Sequence, residues 1–192
     1  MTLSEDVQTL KESLGELPEP AVKPPFVVVS GLPGSGKSYF CRKLAERLPF
    51  PILESDNLRK VLCSTPDYSP EESSRLFQAC HRLIEELLRR GIPLIFDATN
   101  LVERHREELY RIADAVEAKL ILVRVEAPPD VVRQRLNDRP STAAREDRSD
   151  ADWKVYQKLK SSAQKIRRNH FAVDTSRDIT PVVDKVAREA RR

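Results

Sequence analysis

Glycine is scarce in this chain. There are five in 192 residues, and three of them, Gly31, Gly34 and Gly36, fall within six positions. They punctuate the segment Gly31-Leu32-Pro33-Gly34-Ser35-Gly36-Lys37-Ser38. Before it runs Phe26-Val27-Val28-Val29-Ser30, a short apolar, β-branched stretch that reads as a fully buried strand. After it, from Tyr39 to Leu48, comes a helical pattern. A chain that avoids glycine elsewhere and gathers it here needs backbone amides to converge without obstruction from Cβ atoms. The spacing G-x-x-x-x-G-K-[ST] between a strand and a helix is the arrangement that cradles phosphate oxygens, with the helix N-terminus facing the anion. Lys37 would reach the β- and γ-phosphates of a nucleotide, and the Ser38 hydroxyl would bind Mg²⁺. Gly31 to Ser38, with Tyr39 behind them, form the expected nucleotide site.

Such a loop requires a parallel sheet, and the rest of the sequence supplies one. Pro51-Ile52-Leu53-Glu54, Pro93-Leu94-Ile95-Phe96, Lys119 to Val125 and Phe171-Ala172-Val173-Asp174 read as four more strands, with helical patterns between them. The clearest helix covers 70–90, where Leu76, Phe77, Cys80, Leu83, Ile84, Leu87 and Leu88 share a face. It opens with Ser69-Pro70-Glu71-Glu72 and stops at Gly91. Alternating strands and helices predict a three-layer α/β fold: a mostly parallel five-stranded sheet, helices on both faces, and a helical lid over about 128–150. Residues 1–17 carry Val7, Leu10, Leu14 and Leu17 at helical spacing, followed by a connector containing Pro18, Pro20, Pro24 and Pro25. We therefore expect an appendage and linker over 1–25, docked or mobile, and a nucleotide-binding domain over 26–192.

Composition narrows the setting. Charged residues make up 33% and hydrophobic residues 40%, an ordinary balance for a soluble chain. The longest apolar runs are too short to cross a bilayer, and the first residues lack a signal-peptide pattern. Three cysteines and three histidines, all widely scattered, give no disulfide framework and no zinc site. A cytoplasmic location with no membrane contact is expected.

A phosphate loop serves many activities, so the reaction must be read from other residues. After the second strand comes Ser55-Asp56-Asn57-Leu58-Arg59. A carboxylate at the C-terminal end of a strand points into the crevice of an open α/β sheet. There Asp56 could accept a proton from an attacking hydroxyl, and Arg59, one turn on, could clamp an anionic acceptor group. The alternative is that Asp56 caps a helix over 57–63 and Arg59 is a solvated surface residue. The third strand ends in Phe96-Asp97-Ala98-Thr99-Asn100, where Asp97 would support Mg²⁺ unless it caps the helix over 101–116. Arg135 and Arg139, one turn apart, could face a transferring phosphoryl from the lid, with Arg145 and Arg148 following. The alternative is a salt-bridged surface helix.

Together GLPGSGKS, SDNLR, FDATN, the R-x-x-x-R lid, RSDADWKVY and VDTS resemble the polynucleotide-kinase and zeta-toxin-like group of P-loop phosphotransferases. The likeness covers roughly residues 26–175 and is greatest to the kinase of 5′-hydroxyl polynucleotide repair enzymes. It implies an ATP- and Mg²⁺-dependent kinase, free-standing because no phosphatase or ligase segment accompanies it. By the same resemblance Asp56 is the general base, Arg59 contacts an acceptor phosphate, and Asp97 belongs to the acceptor or metal site beside Thr99 and Asn100. Arg139 is the lid arginine on the nucleotide phosphates, with Arg135 a second lid member. Zeta toxins phosphorylate nucleotide sugars, so the resemblance bears on the reaction more than on the acceptor.

One feature bears on the acceptor independently. From Trp153 to His170 there are six Lys or Arg residues and no carboxylate. On a continuous helix Lys154, Lys158, Lys165 and Arg168 would form one stripe, within a sector of about 80°, with Val155, Leu159, Ser162 and Ile166 facing inward. That stripe could track a nucleic-acid backbone, or be an ordinary solvated face. The preferred expectation is transfer of the ATP γ-phosphoryl to a 5′-hydroxyl end. The alternatives are a small-molecule kinase acting on a sugar, nucleotide sugar or antibiotic-like alcohol, and a regulatory ATP-binding module.

Overall fold

The computed structural model of the chain describes residues 2–138 and 152–192. Five strands form: β1 (Pro25–Ser30), β2 (Ile52–Glu54), β3 (Leu94–Asp97), β4 (Lys119–Glu126) and β5 (Phe171–Asp174). All pair in parallel, in the order β2-β3-β1-β4-β5. β1 is central and buried along its whole length. Its unbroken apolar run follows from that position, because successive side chains enter different cores. Phe26 and Val28 point into one, Val27 and Val29 into the other.

The first core is closed by α1 (Leu3–Glu12), α3 (Ser55–Leu62), α4 (Pro70–Arg89) and α5 (Glu103–Ala115). The second is closed by α2 (Lys37–Ala45) and α8 (Thr180–Arg191), through Phe40, Cys41 and Leu44 on one and Val183, Val186 and Ala187 on the other. A smaller cluster joins α6 (Pro129–Asn137) and α7 (Trp153–Ser162) to the body through Val132, Leu136 and Tyr156, packed on Leu32 and Ala127.

Helix α4 forms where its sequence signals lie. The Ser69 hydroxyl accepts from the Glu72 N–H at 3.1 Å, Pro70 fills the first helical position, and Gly91 follows the last turn at φ 79°. The N-terminal appendage docks. Val7 and Leu10 are buried in the first core, and Asp6 receives two hydrogen bonds of 2.6 Å from the Arg75 guanidinium on α4. The connector is tied down where the Ala21 N–H donates to the Gly91 carbonyl at 2.8 Å.

One expectation fails after the lid region, the continuous helical stripe from Trp153 to His170. Helix α7 stops at Ser162, because Ala163 turns extended (ψ 129°) and the Gln164 N–H donates to the Leu101 carbonyl at 2.9 Å. Only Lys154 and Lys158 share that helix; Lys165 and Arg168 lie beyond it, and Val155 is exposed rather than facing inward. The Arg168 guanidinium sits 4.3 Å from the centre of the Tyr110 ring and 3.4 Å from Asp114. The continuous basic stripe is therefore absent: local capture by the body overrides the helical pattern. Of the lid arginines, Arg135 lies on α6, whereas Arg139, Arg145 and Arg148 lie outside the described residues. No helix among the described residues is long and apolar enough to cross a membrane.

Candidate active site

The C-terminal ends of the strands open onto a cleft of about 290 Å³, and the phosphate loop forms its floor. The loop leaves β1 and enters α2 through Gly36, whose φ of 93° is closed to other residues at no cost. A Cβ there would also lie 2.9 Å from the Thr175 hydroxyl. Helix α2 starts without a side-chain cap and with no acidic residue in its first turn. An uncapped, uncountered helix start leaves amides and a positive dipole end for an anion. Lys37 Nζ donates to the Leu32 carbonyl at 3.3 Å, so the ammonium is folded back over the loop it would share with phosphate oxygens. Pro33, Gly34, Gly36, Lys37, Ser38 and Tyr39 line the cleft. Gly31, Leu32 and Ser35 face a separate cavity behind the loop, so their contribution to a nucleotide would come through the backbone.

Opposite the loop, β3 delivers Asp97, buried at 2% exposure. The Ser38 hydroxyl donates to Asp97 Oδ2 at 2.8 Å. A hydroxyl and a carboxylate are hard oxygen donors, and Mg²⁺ takes one or two such protein ligands, completing its shell with phosphates and water. The donor set fits Mg²⁺. Asp97 caps no helix: α5 begins at Glu103, and the side chain that meets its first amide is Gln164, whose Oε1 accepts from the Glu103 N–H at 2.8 Å. Cys41 lies under the same carboxylate, and burial first, with the Asp97 charge second, pushes its thiol well above the ordinary range.

Asp56 also lines the cleft, in the first turn of α3. The helix starts at Ser55, two residues earlier than a cap at Asp56 would allow, and no side chain caps it. The local geometry thus brings Asp56, Asp97, Lys37 and Ser38 around one space. Thr99 lines it too, while its carbonyl accepts from the Gly31 N–H at 3.1 Å and so fixes the loop.

Arg59 stands elsewhere. At 6% exposure it pairs with Glu72 on α4, donates to the Ser73 hydroxyl at 3.3 Å and stacks 4.7 Å from the Tyr68 ring. Glu72 also receives the Asp67 and Tyr68 amides. The guanidinium expected on an acceptor is thus spent on holding the loop between α3 and α4. Asn100 is likewise turned inward, at φ 46° and 7% exposure, with Nδ2 donating to the Val29 carbonyl at 3.0 Å.

On the far wall, Arg135 donates to the Thr175 hydroxyl (2.8 Å), the Thr175 carbonyl (2.9 Å) and the Gly34 carbonyl (3.4 Å). Thr175 in turn donates to the Ser35 carbonyl at 2.6 Å. Thr175, Arg42 and Glu54 line the cleft without having been singled out in the sequence. Thr175 had a signal, its place in VDTS just after β5; Arg42 and Glu54 sit on ordinary helix and strand positions.

This architecture has known counterparts. A putative kinase from Chloroflexus aurantiacus superposes with a TM-score of 0.69 at 22% identity, over 87% of this chain and 98% of that one. The Mycobacterium tuberculosis APS kinase CysC, solved with AMPPNP and APS, gives 0.63 at 18% identity, over 91% of this chain and 100% of that one. These likenesses show the P-loop kinase fold. In sequence, an adenylate kinase isoenzyme 6 homolog from Drosophila melanogaster is 36% identical over 89 residues, 46% of this chain. The chain spans 47% of that relative's length. The model of the AAA domain family matches residues 26–166, and the chain belongs to that family.

Proposed function

We propose that this protein is an ATP-dependent phosphotransferase that moves the γ-phosphoryl group to a hydroxyl of a small molecule. The observation that carries the reading is the presence of Asp56 in the same cleft as the phosphate loop and Asp97. The acceptor oxygen attacks the γ-phosphorus as its proton passes to an Asp56 carboxylate oxygen; the bond from the γ-phosphorus to the bridging oxygen breaks, and ADP leaves with that oxygen. Lys37 and the loop amides hold the donor phosphates, Arg135 braces the loop from the cleft wall through Thr175 and Gly34, and Arg139 would join the phosphates from the lid. Ser38 and Asp97 would hold Mg²⁺, which when bound would neutralise charge on the phosphate oxygens. Positioning and charge stabilisation then account for most of the rate.

The cleft that Asp56 and Thr99 line is shared with the phosphate-loop residues Gly34, Gly36, Lys37, Ser38 and Tyr39, so an acceptor hydroxyl in it would stand beside the donor phosphates. APS kinase, with the same fold, was solved in complex with AMPPNP and APS. The 5′-hydroxyl nucleic-acid reading stands second. The Asp56 and Asp97 placement supports it equally, but its two further supports, an acceptor clamp at Arg59 and a basic stripe, are engaged elsewhere.

The test is transfer from γ-labelled ATP to sugars, nucleosides, nucleotide sugars and 5′-hydroxyl oligonucleotides. Asp56→Asn is expected to lower transfer by about 10²–10⁴-fold while leaving nucleotide affinity nearly unchanged. Transfer that survives Asp56→Asn would remove the base. Label on oligonucleotides alone would promote the second reading. ATP binding without transfer to any acceptor would point to a regulatory module.

A further inference from the structure

Helix α7 is joined to the body at its C-terminal end by residues 163–166, and one buried side chain holds that join. Arg106, on α5, is 1% exposed and spreads its guanidinium over four groups. Nε donates to Glu103 Oε2 at 2.8 Å and Nη1 to the Asn100 carbonyl at 2.7 Å. Nη2 donates to the Gln164 and Lys165 carbonyls, each at 3.0 Å. The fork therefore binds the segment after α7 on one side and the end of the β3 loop on the other.

The path continues from Asn100 into the phosphate loop. The Ser30 hydroxyl is shared between the Thr99 and Asn100 carbonyls at 3.0 Å, and Asn100 Nδ2 reaches the Val29 carbonyl. The Gly31 N–H, first in the loop, donates to the Thr99 carbonyl. Ser30, Asn100 and Arg106 are buried polar residues, each with a partner on another segment, so displacing one leaves another unsatisfied. Packing does less of this work, because a cavity of about 220 Å³ separates the loop residues Gly31, Leu32 and Ser35 from Gln164 and Lys165.

We infer that Arg106 is a positioning residue that couples the segment after α7, residues 163–166, to the phosphate loop, so that the two take up their places together. The inference rests on the phosphotransferase reading for its consequence, though the coupling itself is a property of the chain. Arginine is needed because only a planar fork serves both sides at once; a lysine keeps the charge and loses the geometry.

The test is backbone amide exchange of Arg106→Lys, followed by NMR without nucleotide. The Gly31 and Gln164 amides are expected to exchange faster together, by about tenfold or more, while Val27 and Val28 in β1 stay within about threefold of wild type. Uniform acceleration would mean general destabilisation, and acceleration at Gln164 alone would break the coupling; either result overturns the inference. If Arg106→Lys does not fold, Glu103→Gln reads the same amides, with the same pattern expected at smaller amplitude. With ATP and Mg²⁺, Arg106→Lys should lower kcat for transfer or hydrolysis more than it changes the KM for ATP. An equal change in both overturns the functional consequence. Wild-type protein that binds ATP without turnover would end the phosphotransferase reading and leave the exchange result to decide the coupling.

Discussion

Arg59→Ala separates a structural role from an acceptor-binding role. The guanidinium is 7% exposed and its partner carboxylate on Glu72 is 10% exposed, so truncation strands a buried negative charge that still holds the Asp67 and Tyr68 amides. Removing one member of a buried pair costs about 3–5 kcal/mol. In a chain of this size each kcal/mol moves Tm by roughly 2–4 °C, so the melting temperature should fall by roughly 6–20 °C. Replacing both partners together, as Arg59→Met with Glu72→Leu, should recover much of that loss, because the desolvation cost of the pair disappears with its attraction. The assay is thermal unfolding by circular dichroism at neutral pH for both singles and the double. A melting temperature for Arg59→Ala within about 2 °C of wild type would refute the reasoning, since a shift that small is under 1 kcal/mol. Weakened acceptor use at unchanged stability would restore the clamp expected from the sequence.

Two further outcomes follow from titratable groups. The Arg75 guanidinium holds the Asp6 carboxyl below the ordinary carboxylate range. That stabilisation is complete above the unfolded-state pKa, about 3.9, and is lost as pH falls through the lower folded value. Asp6→Asn should therefore cost about 1.5–3 kcal/mol at pH 7 and flatten the acid limb of stability measured by melts below pH 5. A parallel acid limb in the mutant would refute it. Burial pushes Cys80 up to about 12 and Cys41 well above its usual range, while Cys63 is half-buried. A disulfide reagent near pH 8 should titrate Cys63 first and reach the other two only on unfolding; three equal fast reactions would contradict the placement.

Which parts of this molecule the sequence reveals depends on how local the signal is. The five strands and α4 are legible because their determinants lie within each segment: short apolar runs, of which those of β1 and β3 are buried throughout, and a cap, a proline and a glycine at fixed offsets. The phosphate loop is legible because glycine spacing encodes backbone conformation directly. What misleads is side-chain destination. Arg59 and Asn100 are polar residues beside a cleft, and nothing within their own segments reveals that Glu72 and the Val29 carbonyl claim them. Helix α7 fails for a similar reason. Residues 163–170 keep a helical pattern, yet the Gln164 amide and side chain are taken by Leu101 and Glu103 from another element. Thr175 is the opposite case, a small residue with little signal of its own that meets Arg135, Ser35 and Gly36 at one point.

The docked N-terminal helix sets where this protein can be cut. The family match spans 26–166, yet both cores are finished by elements outside it. Val7 and Leu10 from α1 complete one side of the sheet, and β5 with α8 completes the other through Val173, Val183, Val186 and Ala187. A chain trimmed to the matched span would expose the apolar face of α4 on one side and of α2 and β4 on the other. Patches of that kind drive association rather than simple loss of stability. The unit that folds is larger than the unit that carries the family's signature.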